Sequence, residues 1–447
     1  MTRRRVRPVP HHVGIIVQNL PVPLDRRVWN ECRTLVAEGY RVSVICPRGP
    51  GQSAHQHLDG VDIHTYRPPP PAAGVAGFVL EAAISWFWTL VLALRIHRRA
   101  RVGVWQACNP PDIYWTIGAL FHLWGVRFVF DHHDLCPEIY RSRFARDDGM
   151  ALRILLLLER ASYAVADHVI VTNESYRSVA IDRGGRDRGD TTVVRSGPDP
   201  LRLRPGPADP ALRDGRTHLC CYLGVMGHQD GVDVIVRAAD LIVNRWGRRD
   251  VGFAILGFGD CFDELRALTT ELGLDDHVRF TGRVDLPEIR RYLRTASIGL
   301  SPDPRSPFNE VSTMNKTLEY MACGVPVVAY DLRETRVSAG DAAWYAPNDD
   351  VESFAETTLA LLDDPASRER MGQLGRARIE DGLGWPGQAA AYADVYRNLL
   401  GSRPPFAPTR RDPRDDIIDL RDVGVAAFNS PDPATRGAAR VGGGRPG

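Results

Sequence analysis

The sequence predicts an α/β protein of two Rossmann-like parallel-sheet lobes facing each other across a cleft. Short apolar runs alternate with segments of helical periodicity, and the alternation occurs twice, on either side of a stretch rich in Gly, Pro, Arg and Asp at 184–210. At 447 residues the chain can hold two such domains and a tail.

The first series opens with the apolar run 13–18, a helical pattern over 25–38 with Val28, Cys32 and Leu35 on one face, and a strand-like run at 41–46. Further strands are expected at 102–107, 126–131 and 168–172. The first lobe is therefore placed at 13–185, after a basic segment 1–12, and a hinge at 186–210, with one short strand expected in the stretch 184–210. A second lobe, 211–385, has strands expected at 219–225, 251–256, 278–282, 298–302 and 325–330, with helices between them. A final helix is expected at 386–401, and the Pro-, Gly- and Arg-rich tail 402–447 is expected to be disordered.

Fifty-six basic residues against fifty-five acidic ones create no global field, so nucleic acid is not an expected partner and any anion site must be local. Eight cysteines with no CxxC spacing argue against a disulfide framework and against a zinc knuckle, which fits a cytoplasmic protein. His132 and His133 beside Asp131 and Asp134 imitate a metal cluster, but neighbours on a strand end point to opposite faces, and no metal is expected.

Residues 75–94 are nearly all apolar, with Glu81 the single charge, and run into RIHRRAR. Their length would span a bilayer. A crossing here would split one sheet across the membrane, so a helix lying against the membrane surface through 75–101 is the preferred expectation, with Trp86 and Trp88 at headgroup level. The plain alternative is a buried crossover helix.

The most informative stretch is SPFNEVSTMNKTLEYMACGVPVVAYD, 306–331. Ser312 or Thr313 can cap a helix ending near Cys323, Gly324 is the expected left-handed terminator, and Pro326 leads into a strand. Lys316 then falls in the first helical turn, where the helix dipole disfavours a cation by roughly 0.3–1 kcal/mol unless an anion is present. Free amides at that helix end and Lys316 would suit a diphosphate, and Glu319 on the same face could accept from ribose hydroxyls. A surface ion pair between Lys316 and Glu319 is the bland alternative. Arg26 and Arg27 start another helix after Asp25, where the same dipole logic suggests donor or acceptor phosphate.

The run NKTLEYMACGVPVV resembles the donor-binding signature of the family-4 retaining glycosyltransferases, in the branch associated with surface polysaccharides. DRRVWNECRTLVAEGYRVSVIC (25–46), NPPD (109–112), DHHDLCPE (131–138), TNESY (172–176), RSGPD (195–199), GVMGHQDGVD (224–233) and VSAGDAAWY (337–345) resemble further features of that branch in collinear order. The resemblance implies the GT-B fold, no obligatory metal or other cofactor, and a nucleotide-sugar co-substrate whose sugar is transferred with retention. It implies a first lobe for the acceptor, which for enzymes of surface-polysaccharide assembly is a lipid-linked glycan, and a second lobe for the donor.

Residue by residue, the resemblance matches Glu319 to the second carboxylate of a Glu-x7-Glu pair, while the first falls on Val311, with Glu310 one place early. It matches His133 to the cleft histidine, and Asp134 and Glu138 to the DLxPE element; these two, with Arg26 and Arg27, are the expected acceptor or phosphate residues. The Arg and Lys with which many relatives hold the diphosphate correspond to Val225 and Asp230. Lys316, Arg283, Arg26 and Arg27 are the replacement cations. Gly224, Gly227 and Gly257 would admit the nucleotide close to the backbone, with Thr313 and Asn315 at the helix start. The expected catalytic residues are His133, Lys316 and Glu310. A nucleotide-sugar 2-epimerase and a non-catalytic scaffold of the same fold are the alternatives.

Overall fold

The computed structural model describes residues 10–69, 74–144 and 149–401; the N-terminal segment up to residue 9 and the tail from 402 lie outside them. The first lobe comprises β1 (His12–Ile16), α1 (Arg26–Ala37), β2 (Arg41–Pro47), β3 (His55–Leu58), β4 (Val61–Tyr66), α2 (Gly74–Arg99), β5 (Val104–Cys108) and α3 (Trp115–His122). It continues through β6 (Arg127–His132), α4 (Cys136–Phe144), α5 (Met150–Val165), β7 (His168–Val171), α6 (Glu174–Asp182) and β8 (Thr191–Val193). These strands form one sheet in the order β3-β4-β2-β1-β5-β6-β7-β8, parallel except for the β3–β4 pair. Cores pack on both faces, which is why the central strands read as unbroken apolar runs rather than alternating ones.

Two details depart from the sequence expectation. The β3–β4 hairpin was not foreseen, and its turn is Asp59–Gly60 with both φ angles positive, at 47° and 83°. Strand β8 lies inside the expected hinge yet pairs with β7, so the first lobe extends beyond residue 185.

The second lobe comprises β9 (His218–Val225), α7 (Val232–Asp240), β10 (Val251–Phe258), α8 (Phe262–Glu271), β11 (Val278–Gly282), α9 (Leu286–Thr295) and β12 (Ile298–Ser301). It continues with α10 (Asn315–Ala322), β13 (Val327–Tyr330), α11 (Arg333–Ala339), β14 (Ala343–Ala346), α12 (Val351–Leu362) and α13 (Pro365–Arg378). Its parallel sheet has the order β11-β10-β9-β12-β13-β14. Helix α10 begins at Asn315 after Met314, with no side-chain cap, so neither Ser312 nor Thr313 serves as the cap expected from sequence. Gly324 ends it with φ 72°, as the sequence indicates.

The last helix, α14 (Trp385–Leu400), returns to the first lobe. Trp385, Tyr392, Val395, Tyr396 and Leu400 join the core that covers α1 and β1. The chain thus crosses between the lobes twice, and the crossings touch: the Trp385 amide donates to the Pro198 carbonyl at 2.9 Å. A Cβ on Gly197 would lie 2.1 Å from the Leu383 carbonyl oxygen, so only glycine fits there.

Helix α2 is neither wholly buried nor wholly free. Ser85, Thr89, Ala93 and Ile96 turn inward, and Trp86 donates to Thr116 at 2.7 Å, while Phe78, Val79, Leu80, Phe87 and Trp88 are exposed. Only 17% of its apolar window is buried, which sets aside the buried-crossover alternative.

Candidate active site

Two helix starts face the cleft, and each places a cation at its second residue. In α1, Asp25 caps the helix by accepting from the Val28 amide at 3.0 Å, and Arg26 and Arg27 follow. In α10, Asn315 and Lys316 occupy the same two places, Asn315 exposed and Lys316 buried.

Arg27 is enclosed. Its guanidinium donates to Asp131 at 2.9 Å, to the Val194 carbonyl at 2.7 Å and to Ser196 at 3.2 Å, and lies 3.0 Å from Glu31. Burial disfavours its charge, but Asp131 and then Glu31 more than offset this and raise its pKa. Burial would likewise raise Asp131, yet Arg27 and His133 hold it well below the usual carboxylate range, while burial and the Asp131 charge push Glu31 well above. Gln106 donates to both acids at 2.8 Å and in turn accepts from Tyr392 at 2.6 Å and from Tyr396. The anion that the dipole argument sought at Arg27 is therefore a carboxylate of the chain itself, and Arg27 is corrected from a phosphate ligand to a structural cation.

His133 leaves the end of β6 on the side of this network. Its Nε2 lies 2.8 Å from both Arg27 Nε and Asp131 Oδ2. Its amide and that of Asp134 donate to Asn109 Oδ1, at 2.6 and 3.1 Å, and Asn109 returns a bond to the Asp134 carbonyl. The NPPD loop thus fixes the histidine's backbone. His132 points to the opposite face, against Tyr163 at 2.9 Å, where burial and then Arg183 lower its pKa to about 3. Cys108, Asp131 and His133 bring ligand atoms within 4.8 Å of one another, but the Arg27 guanidinium already bonds Asp131 and His133 there, a cation a metal would have to displace.

Lys316 also meets a carboxylate of the chain. Its ammonium bonds Asp303, lies 3.9 Å from Asp230 and sits 5.0 Å from the centre of the Tyr222 ring. Burial would lower its pKa, but Asp303 and Asp230 raise it, so the lysine is charged. Burial in turn raises Asp230, with Lys316 opposing. Ser301 donates to Asp303 at 2.6 Å, and the Gly227 amide to Asp230 at 3.0 Å, so the loop that lacks the expected cations is closed on its own acid. Glu319 does not pair with Lys316; its carboxylate meets Arg26 across the cleft at 2.7 Å. Arg26 itself remains 62% exposed.

Other expected site residues are placed differently. Glu310 accepts from the Arg333 amide at 3.0 Å and pairs with Arg305 at 2.7 Å, which ties it to the start of α11 rather than leaving it available as a catalytic acid. Glu138 is a buried structural acid, held by Arg183 at 2.6 and 3.0 Å and by Arg141 at 3.2 Å, and is corrected from the acceptor set. Burial raises the Asp134 pKa, with His133 opposing. Arg283 lies over the exposed Phe258 ring at 4.2 Å, at the edge of the second sheet. Gly257 has φ 131°, and a Cβ there would fall 1.8 Å from the Gly224 carbonyl oxygen; Gly224 itself abuts Tyr222 and Lys316.

Thr313 is an interlobe contact: its Oγ1 receives Asn173 at 3.0 Å and Arg195 at 3.2 Å. Asn173 also donates to the Val311 carbonyl at 2.8 Å, and Ser175 to Glu334 at 2.6 Å. Sequence reasoning picked out TNESY and RSGPD by resemblance but gave Asn173, Ser175 and Arg195 no role. Polar residues at a helix start inside a motif were the available signal.

Comparison with known proteins agrees with this architecture. Residues 24–197 match the model of a glycosyl transferase 4-like domain, and residues 217–364 that of glycosyl transferases group 1. A D-inositol 3-phosphate glycosyltransferase of Kineococcus radiotolerans is 28% identical over 327 residues, 67% of this chain and 73% of the relative. Sucrose-phosphate synthase from Thermosynechococcus elongatus superposes with TM-score 0.71 at 19% identity, over 88% of this chain and all of that one. Anabaena HepE, solved in complex with UDP-glucose, gives 0.64 at 15% identity, over 87% of this chain and 99% of that one. With both lobes matched in order by glycosyl transferase domain models and the two facing sheets in place, the comparisons support a glycosyltransferase of the GT-B fold.

Proposed function

We propose that the protein is a retaining, metal-independent hexosyltransferase that moves a sugar from a UDP- or GDP-sugar to a hydroxyl of a lipid-linked glycan at a cytoplasmic membrane surface. The observation that carries the reading is the start of α1, where consecutive arginines bond His133 on one side and Glu319 of the other lobe on the other. A nucleoside diphosphate at the start of α10 would present its ribose to Glu319 and its phosphates to the α10 amides and Lys316. Asp303 and Asp230 already oppose the Lys316 charge, so a dianionic phosphate there needs a further cation. Arg26, released from Glu319 when ribose takes its place, supplies it. His133, fixed by Arg27 and Asn109, then borders the sugar. The chain need provide no nucleophile: it stabilises charge developing on the departing diphosphate, which accepts the acceptor's proton.

A soluble acceptor is the second reading, because the relatives are named for D-inositol 3-phosphate and Arg26 would equally suit an acceptor phosphate. Incubating the purified protein with UDP- and GDP-sugars tests the first claim: release of nucleoside diphosphate supports a transferase, an isomerised sugar an epimerase, and no binding a scaffold. Transfer to inositol phosphate with no dependence on lipid would select the soluble acceptor.

A further inference from the structure

Helices α2, α3 and α5 bury Ala93 and Ile96, Ile117 and Phe121, and Tyr163 in one core, on one side of the first sheet. Their opposite faces therefore share the outer surface of that layer. On α5, Met150, Arg153, Ile154, Leu157 and Arg160 follow helical spacing along the outward stripe, and all five are exposed. Leu157 is 66% exposed and Met150 71%. On α2 the outward side presents Phe87 and Trp88 and, about two to three turns on, Arg95, Arg98 and Arg99. Leu123 and Trp124, exposed at the end of α3, join the α2 surface, because the Trp124 ring stacks on His97 at 5.9 Å.

Apart from the half-buried Glu81 of α2, the charges on this surface are one-sided. Arg95, Arg98, Arg99, Arg153 and Arg160 form no close ion pair among the described residues, although the Arg160 charge is felt by the neighbouring Glu159. The single acid of α5, Glu159, is turned inward onto Arg183, and Asp167 beside the layer is taken by Arg127 and His122. A chain of net charge +1 has thus gathered unpaired arginines among large apolar side chains on one face.

We infer that α5 and the Leu123–Trp124 corner form, with α2, a single docking surface for an anionic lipid bilayer. The inference rests on the reading that the protein works at a membrane, and adds to α2 a second, amphipathic anchor that the hydropathy of the sequence does not reveal. Apolar side chains enter the acyl boundary while arginines reach lipid phosphates, and tryptophan suits the interface between them. Both anchors begin at the end of the first sheet that carries His133, since α2 follows β4 and α5 runs back to β7. The surface thus runs from the cleft end, at the starts of α2 and α5, to the far end of the sheet at Arg95–Arg99 and Trp124, so that its near edge places the bilayer within reach of the cleft.

Vesicle sedimentation of the full chain tests this, with phosphatidylcholine alone and phosphatidylcholine containing phosphatidylglycerol. Wild type is expected to bind the anionic vesicles and to release them as salt rises. Ile154→Asp with Leu157→Asp should weaken binding about tenfold, and Arg153→Gln about fivefold, from roughly 1 kcal/mol per basic residue near an anionic surface. Nucleotide-sugar hydrolysis and the thermal melt should stay at wild-type values, which separates lost docking from lost folding. If wild type binds vesicles and the α5 variants bind equally well, the second anchor is overturned and the α2 reading stands. If wild type binds neither vesicle, both fall. A change in oligomeric state with unchanged vesicle binding would also overturn it, by assigning the face to a second copy of the chain.

Discussion

Arg27 and Lys316 are the second residues of helices on opposite sides of one cleft, and both are buried cations facing carboxylates of the chain, yet they are held very differently. Arg27 bonds two acids, a backbone carbonyl, a hydroxyl and His133, so its positions are filled on every side. Lys316 has a single close partner, Asp303, with Asp230 at 3.9 Å, and lies beside the exposed helix start at Asn315. The dipole argument correctly demanded an anion at each place; what differs is whether that anion leaves room for another. A cation with saturated geometry builds the lobe, and one with a single partner can exchange it.

Arg27→Ala leaves Asp131 and Glu31 buried without their cation, and should cost about 3–5 kcal/mol in denaturant unfolding. Loss of donor affinity with stability intact would instead make Arg27 a ligand.

A second effect also belongs to the first lobe. Burial, and then the Glu159 charge, raises Asp112 to about 7, and burial raises Glu159 to about 7 against the pull of Arg183. Both acids hold protons more tightly folded than unfolded, where their ordinary values are 3.8 and 4.5. Their contribution is thus complete below about pH 4 and is lost as pH rises through 7, on the order of 3–4 kcal/mol for each acid. Melting between pH 5 and 8 should show the decline, and Asp112→Asn should flatten it.

Next in size is Lys316→Ala, expected to lower kcat/KM by about 100-fold through lost charge stabilisation of the leaving diphosphate. Unchanged turnover would reduce Lys316 to the structural class of Arg27. Arg26→Ala should weaken nucleoside diphosphate binding about tenfold in calorimetry, while an exposed pair of this kind contributes less than about 1 kcal/mol to folding. Equal loss in binding and stability would show that Arg26 serves only to hold the lobes together.

The alternation of strands and helices was legible because each buried parallel strand must be an apolar run, and Gly324 because a helix ending there needs a left-handed residue. A short strand within the Gly-, Arg- and Asp-rich stretch was legible, but its membership of the first sheet was not, because the pairing is decided by β7. The β3–β4 hairpin carried a readable sign in Asp59–Gly60, but its strands HQHL and VDIHTY are too polar for an apolar-run criterion. At the site, residue types and helix positions were legible, whereas partners were not. Asp303 is 13 residues from Lys316 and Arg27 is 104 from Asp131, and only the folded chain brings them together. Glu138 and Glu310 looked like chemistry because they were acids in the right motif; Arg183, which holds Glu138, stands 45 residues away, and the pairing of Glu310 with Arg305 appears only in the folded loop.

The return of α14 to the first lobe alters what motion the molecule can have. One linker would allow one lobe to swivel freely over the other. Here two passages lie side by side, tied by the Trp385 amide and packed so closely at Gly197 that no side chain fits, and they act together as the pin of a door. Opening then becomes a swing about one line, with Arg26 and Glu319 on the leaf edges, so that each closure returns the same pair of residues to the same meeting point.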